Sequence, residues 1–168
     1  MKKFVFLFLL SASVVAQPFS KEETARWQKQ SKQVTIIRDT WGIPHVYGKT
    51  DADAVFGLLY AQCEDDFERV EMNYITAVGR MAEVEGESKL YNDLRTRLFY
   101  DTLQAFSIYK ESPAWLKRLC DGFADGVNYY LYTHPQVKPK LLNRFQPWMP
   151  FLFSEGSIGG DIESISIN

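Results

Sequence analysis

His45 and His134, Cys63 and Cys120, and the acidic run Glu64, Asp65, Asp66, Glu68 and Glu71 are the side chains of this chain that first invite a chemical reading. A hydrolytic triad requires a nucleophile, a base within hydrogen-bond reach and an acid that orients the base. The two histidines supply no such set: His45 sits inside an extended run, where it reads as a structural hydrogen-bonding residue, and His134 marks a helix end before Pro135. A zinc site wants three or four clustered ligands, which scattered histidines and two core cysteines do not provide. The acids read as a solvated face, or as partners for arginines on another segment, rather than as a metal or catalytic cluster. No self-sufficient active site is legible.

The elements that carry these residues are clearer. Val34 to Ile37 and His45 to Tyr47 are β-rich runs flanking a corner where Gly42 allows positive φ and Pro44 keeps Ile43 extended. Thr50-Asp51-Ala52-Asp53 is a capping box that starts a long helix with apolar residues at Val55, Phe56, Leu59, Cys63, Phe67, Val70, Tyr74, Ile75 and Val78. Upstream, Ser20-Lys-Glu-Glu23 is a second capping box, opening an amphipathic helix to Gln30 with Trp27 on its buried side. Arg80 to Glu85 reads as a connection between Gly79 and Gly86, and a single helix is expected from about Asn92 to Tyr109, with Arg95 and Arg97 placed to answer the acidic stripe. Ser112-Pro113 reads as cap and first helical position of another helix, whose apolar face is Trp115, Leu119, Phe123, Val127 and Leu131. His134-Pro135 ends it, and a proline-rich extended connection follows. The tail from Phe151 to Asn168 alternates polar and apolar residues after a glycine-rich stretch and stops as though cut in mid-element.

Lys2-Lys3, the apolar run Phe4 to Leu10, and Val14 and Ala16 at the −3 and −1 positions make residues 1–16 a secretory signal peptide cleaved before Gln17. The apolar run is far short of the roughly 20 residues that span a bilayer, so a soluble protein is expected after cleavage, periplasmic or secreted, with no membrane partner. Losing Lys2 and Lys3 leaves 17 basic against 21 acidic side chains, and no basic stripe suggests nucleic acid. In an exported protein Cys63 and Cys120 could pair, but both share helical faces with apolar residues and read first as buried free thiols.

Arg38-Asp39, Gly42-Ile-Pro44-His45-Val-Tyr47, Phe56-Gly57, Tyr60-Ala61-Gln62, Ala82-Glu83-Val84-x-Gly86 and Phe123-Ala124-Asp125-Gly126-Val-Asn128-x-Tyr130 stand in the order and spacing of the penicillin acylase family, in the α chain of these N-terminal-nucleophile hydrolases. The resemblance runs from about Val34 to Asn168. It departs from the family at Asp65-Asp66, where Asp-Arg is common.

The resemblance implies an α+β protein, residues 17–168 being the mainly helical α-chain portion of a four-layer αββα hydrolase whose β chain is missing. It implies a catalytic serine at the start of that β chain, with its own α-amine as base, and so no catalytic residue on this chain. The reaction would be hydrolysis of a small acyl-amide: a β-lactam side chain, an acyl-homoserine lactone or an acylated peptide. Asp161, in Asp161-Ile-Glu163, matches a family calcium ligand, and calcium prefers carboxylate oxygens; a cap or turn acid is the equal alternative. Phe151 and Phe153 are implied as substrate-binding residues in the wall of the acyl pocket. Gly156-Ser157 resembles a self-cleavage junction, but Ile158 stands where the family shows Asn. The rival reading is a stand-alone exported binding or scaffold protein derived from the family.

Overall fold

The computed structural model describes residues 19–153, a set of helices packed about one long helix, with a two-stranded ribbon lying against that helix. Helix α1 (Lys21–Ser31) opens on the predicted capping box, with Ser20 Oγ accepting from the Glu23 N–H and Glu23 accepting from the Ser20 N–H. Trp27 is buried, and its Nε1–H donates to Asp125 Oδ1 at 2.6 Å, while Arg26 forms an ion pair with the same carboxylate. Strands β1 (Val34–Arg38) and β2 (Pro44–Gly48) pair antiparallel, Ile36 opposite Val46 and Ile37 opposite His45. The corner turns at Gly42, whose φ of +81° only glycine adopts without strain.

Helix α2 (Asp51–Ala77) is the spine, and it begins on the Thr50–Asp53 capping box. It is two helices joined at a kink: Asp66 leaves helical geometry (φ −160°, ψ 78°), and its Oδ1 accepts from the Arg69 N–H at 3.0 Å, capping the second half. Short α3 (Ala82–Glu85) occupies the segment predicted to be a plain connection, because Asp93 accepts from the Met81 and Ala82 N–H groups at 2.8 and 2.7 Å and so caps one helical turn.

The single helix predicted for residues 92–109 is two, α4 (Leu90–Phe99) and α5 (Thr102–Glu111). Tyr100 and Asp101 are extended at the break, where Asp101 caps α5 by accepting from the Leu103 N–H at 2.8 Å. Helix α6 (Ala114–Thr133) follows, capped by Pro113 rather than Ser112, since Ser112 Oγ turns back onto the Ile108 carbonyl at 2.7 Å to close α5. Trp115, predicted on the buried face, is 57% exposed; the face turned inward is Cys120, Gly122, Ala124, Gly126, Val127 and Tyr130.

Helices α2 and α6 touch backbone to backbone. A Cβ on Gly126 would fall 2.4 Å from the Phe56 carbonyl oxygen and one on Gly122 2.5 Å from that of Ala52, so only glycine permits this spacing. Leu59, Cys63, Phe67, Ile75, Val127, Tyr130 and Phe145 fill the core between and below them.

The proline-rich segment after His134 is not simply extended. It ends in a 3-10 turn at Met149–Leu152 and is fastened by two buried polar side chains. Glu71 of α2, 1% exposed, accepts from the backbone N–H groups of Lys140, Leu141 and Leu142 at 2.9, 2.8 and 2.9 Å. Asn128 of α6 pairs with both backbone groups of Phe145, at 2.9 and 2.8 Å. Buried polar groups persist only when satisfied, and here their satisfaction fixes the path of the loop.

The acidic stripe is therefore structural, as the sequence suggests, but with other partners. Glu64 and Asp65 face Arg38 at 3.1 and 2.7 Å and Glu68 faces Lys140 at 2.6 Å, whereas Arg97 donates instead to the Gly79 carbonyl. Among the described residues no helix is long and apolar enough to cross a membrane.

Candidate functional site

A concave surface is built where α2 ends. Gly79, with φ +65°, turns the chain sharply; a side chain there would meet Arg97 and the Asp93 carbonyl. The turn brings α4 and α5 alongside the 141–149 segment that Glu71 and Asn128 hold in place. Between them lies a cavity of about 740 Å³, lined on one side by Tyr100, Leu103 and Phe106 and on the other by Leu142, Trp148 and Met149, with Arg80, Arg97 and Arg144 also in its lining. A smaller cavity of about 320 Å³ adjoins it through Tyr100, and is lined by Asn73, Thr76, Thr96, Leu152 and Phe153.

The two aromatic residues expected in a pocket wall part company here. Phe153 is 39% exposed, lines the smaller cavity, and stands edge-on to Tyr74 with ring centroids 5.2 Å apart. Phe151 is half-buried against the core and lines neither cavity. The Tyr74 hydroxyl is buried without a hydrogen-bond partner among the described residues, and burial holds it well above the ordinary phenol range.

Neither histidine is poised as a base. His45 Nε2 lies 3.2 Å from Asp39 Oδ2, and Asp39 also accepts from the Trp41 and Ile43 N–H groups at 2.8 and 3.0 Å, so the pair ties the hairpin corner together. His134 comes closest to a nucleophile, its Nδ1 being 3.0 Å from Thr133 Oγ1, but Nδ1 is equally 3.0 Å from the Tyr130 carbonyl. A carbonyl only accepts, so Nδ1 carries the proton and cannot take one from the hydroxyl.

Cys63 and Cys120 are buried and unpaired, as the sequence reading favours, and burial pushes the Cys63 thiol up to about 12. A thiol so far from ionising is neither nucleophile nor metal ligand at neutral pH. Among the described residues no three of His, Cys, Asp and Glu converge on a possible metal position. Asp161, the predicted calcium ligand, lies outside the described residues, as do the leader at residues 1–16 and Gly156-Ser157.

Sequence reasoning places Glu71 on a solvated acidic face, gives Asn128 no role beyond its family block and passes over Asp93, yet all three are buried polar groups that shape the cavity walls. A signal for Glu71 existed: it continues the series Cys63, Phe67, Ile75 at steps of four, on the inward face of α2.

A mainly helical chain with a ribbon clamped against its longest helix, and no nucleophile–base pair among its described residues, has the fold of part of a penicillin acylase. The structure superposes on the thermostable penicillin G acylase from Alcaligenes faecalis with a TM-score of 0.67, at 20% identity, over 80% of this chain and 76% of that one. The Penicillin amidase family model matches residues 33–161, and the chain belongs to that family. It is 31% identical to penicillin G acylase of Escherichia coli over 134 residues, 74% of this chain and 16% of the relative. It is 31% identical to the acyl-homoserine lactone acylase QuiP of Pseudomonas fluorescens (strain Pf0-1) over 109 residues, 65% of this chain and 13% of the relative. A further relative, at 29% identity over 72% of this chain and 16% of its own length, is the penicillin acylase 2 proenzyme of Pseudomonas sp. (strain SE83). The chain thus spans about a sixth or less of the curated relatives it matches.

Proposed function

We propose that this polypeptide is the α-chain part of an exported acylase of four-layer αββα architecture, which hydrolyses the amide between an acyl group and an amine. The observation that carries the reading is the match of the family model across residues 33–161, in a chain whose described residues hold no nucleophile–base pair of their own. The missing pair is assigned to the first residue of a β chain. There a serine hydroxyl adds to the amide carbonyl and passes its proton to the serine's own α-amine; the leaving amine takes a proton, and water then releases the acid from the acyl-enzyme. A terminal amine suits this role because its pKa, roughly 7.7 to 8.0, lies near working pH.

The α chain's share is positional in this reading. Helices α2 and α6 form a rigid frame, and Phe153 stands at its edge with part of its ring exposed, where it would meet an acyl group held by the β chain. Phe151, half-buried against the core, would join it in the pocket wall. The relatives named for penicillin G and for acyl-homoserine lactones support a substrate that is an acyl-amide. Calcium ligation by Asp161 rests on its place in Asp161-Ile-Glu163 and on the preference of calcium for carboxylates. Asp161→Asn should lower the calcium content of the assembled enzyme by elemental analysis, and unchanged calcium would refute the assignment. Export rests on the leader at residues 1–16, and N-terminal sequencing should find Gln17 first.

The test is intact-mass analysis of the mature product of the whole open reading frame. The reading expects two chains, the second beginning with serine; one unprocessed chain ending at Asn168 would favour a stand-alone binding or scaffold protein.

A further inference from the structure

We propose that the groove between α5 and the 141–149 segment binds a small amphiphilic carboxylate, its acid on Arg97 and its apolar part along Leu103, Phe106 and Trp148. The inference stands on this chain's own residues and is independent of the acylase reading. The groove's volume, about 740 Å³, is that of a small-molecule site, which typically runs to roughly 300–1,000 Å³.

Its charges are unequally engaged. Arg80 holds Glu83 through two hydrogen bonds of 2.6 Å, and Arg144 forms an ion pair with Glu23, so each of these cations already faces a carboxylate. Arg97 is engaged differently: Nε donates to the Gly79 carbonyl at 2.9 Å, which fixes the plane of the guanidinium, its Nη groups donate no hydrogen bond among the described residues, and Glu83 lies near enough to feel its charge. A planar guanidinium held by Nε and open at Nη matches a carboxylate's two oxygens. Asp101, the acid in the lining, has Oδ1 on the Leu103 N–H. One guanidinium with open Nη groups, with Asp101 and Glu83 both near it, favours a monoanion over a doubly charged phosphate.

The lining is also apolar on both sides. Leu103 is 76% exposed and Phe106 41% exposed, and both line the groove with Trp148. A guanidinium and an exposed apolar strip within one lining suit a medium-chain or aryl-alkyl acid. Burial of a chain of that length contributes through each methylene removed from water.

Titration calorimetry of the full chain with octanoate, octylammonium and inorganic phosphate tests the proposal. Saturable octanoate binding is expected, with octylammonium and phosphate at least about tenfold weaker, the order of one lost charge-assisted contact. Arg97→Gln should weaken octanoate by about tenfold or more, and Arg97→Lys by less. Because Arg97 also braces the Gly79 corner, Leu103→Glu is the second variant: it places an anion on the exposed lip, and should abolish octanoate binding with an unchanged melting temperature. Octylammonium binding as tightly as octanoate, no saturable octanoate binding, or parental affinity in both Arg97→Gln and Leu103→Glu would each overturn it.

Discussion

Replacing Glu71 by Gln tests how the loop over the core is held. The carboxylate is 1% exposed and serves three backbone donors, Oε1 accepting from Leu141 and Leu142 and Oε2 from Lys140. Glutamine is nearly isosteric but offers one acceptor oxygen. With that oxygen on Leu141 and Leu142, its NH2 confronts the Lys140 N–H, donor against donor. The loss is one charge-assisted hydrogen bond of about 1.5–3 kcal/mol, and two more weaken from charged to neutral by about 1 kcal/mol each. Relief from burying a charge offsets part of this, leaving a net destabilisation of about 2–4 kcal/mol. Glu68→Gln is the internal control: the same acidic run, an exposed pair with Lys140, and an expected change under about 1 kcal/mol. Urea unfolding of the three proteins, with amide exchange at residues 140–142, gives the answer. A Glu71→Gln loss below about 0.5 kcal/mol, or one equal to that of Glu68→Gln, would refute the clamp.

Gly126→Ala should destabilise by about 1–3 kcal/mol in the same assay, because its Cβ would meet the Phe56 carbonyl at 2.4 Å and the helices must part, despite the roughly 1 kcal/mol gained in helix propensity. Cys63 should resist alkylation at pH 8 in the folded chain and react on unfolding, since its thiol is pushed up to about 12 by burial; modification of the native protein within minutes, seen by mass spectrometry, would contradict this. The Asp39 carboxyl is lowered from its ordinary 3.8: burial opposes this, but the contact with His45 and the Ile43 and Trp41 N–H groups prevail. Its contribution to the hairpin is therefore present at neutral pH and lost as pH falls through the folded-state pKa, below 3.8, where the Trp41 and Ile43 amide resonances should shift together.

Much of the frame could be read from local chemistry. The boxes at Ser20–Glu23 and Thr50–Asp53, the Gly42 corner and the end of α6 at His134 each depend on residues within four positions of one another, and all four form as read. What sequence missed depends on long-range partners. The break at Tyr100-Asp101 is invisible to periodicity because apolar residues continue across it, and only the Asp101 cap reveals the new helix. The kink at Asp66 hides inside an acidic run in the same way. Spacing alone places Trp115 inward, but it lies in the first turn of α6, where spacing says nothing of what packs opposite. Glu71 is the sharpest case, since its charge suggests solvent while its register places it in the core. The groove was illegible because its walls come from the α2 corner, α5 and the 141–149 segment, brought together by contacts about 70 residues apart in sequence, such as Glu71 to Leu141.

Hydrolysis of a chromogenic acyl-anilide by the chain alone, and by the chain produced with the β segment of its own precursor, is the most direct test of the central claim. The account predicts no hydrolysis above buffer for the chain alone and turnover once the β chain, with its terminal serine, is present. Turnover by residues 17–168 alone would contradict it.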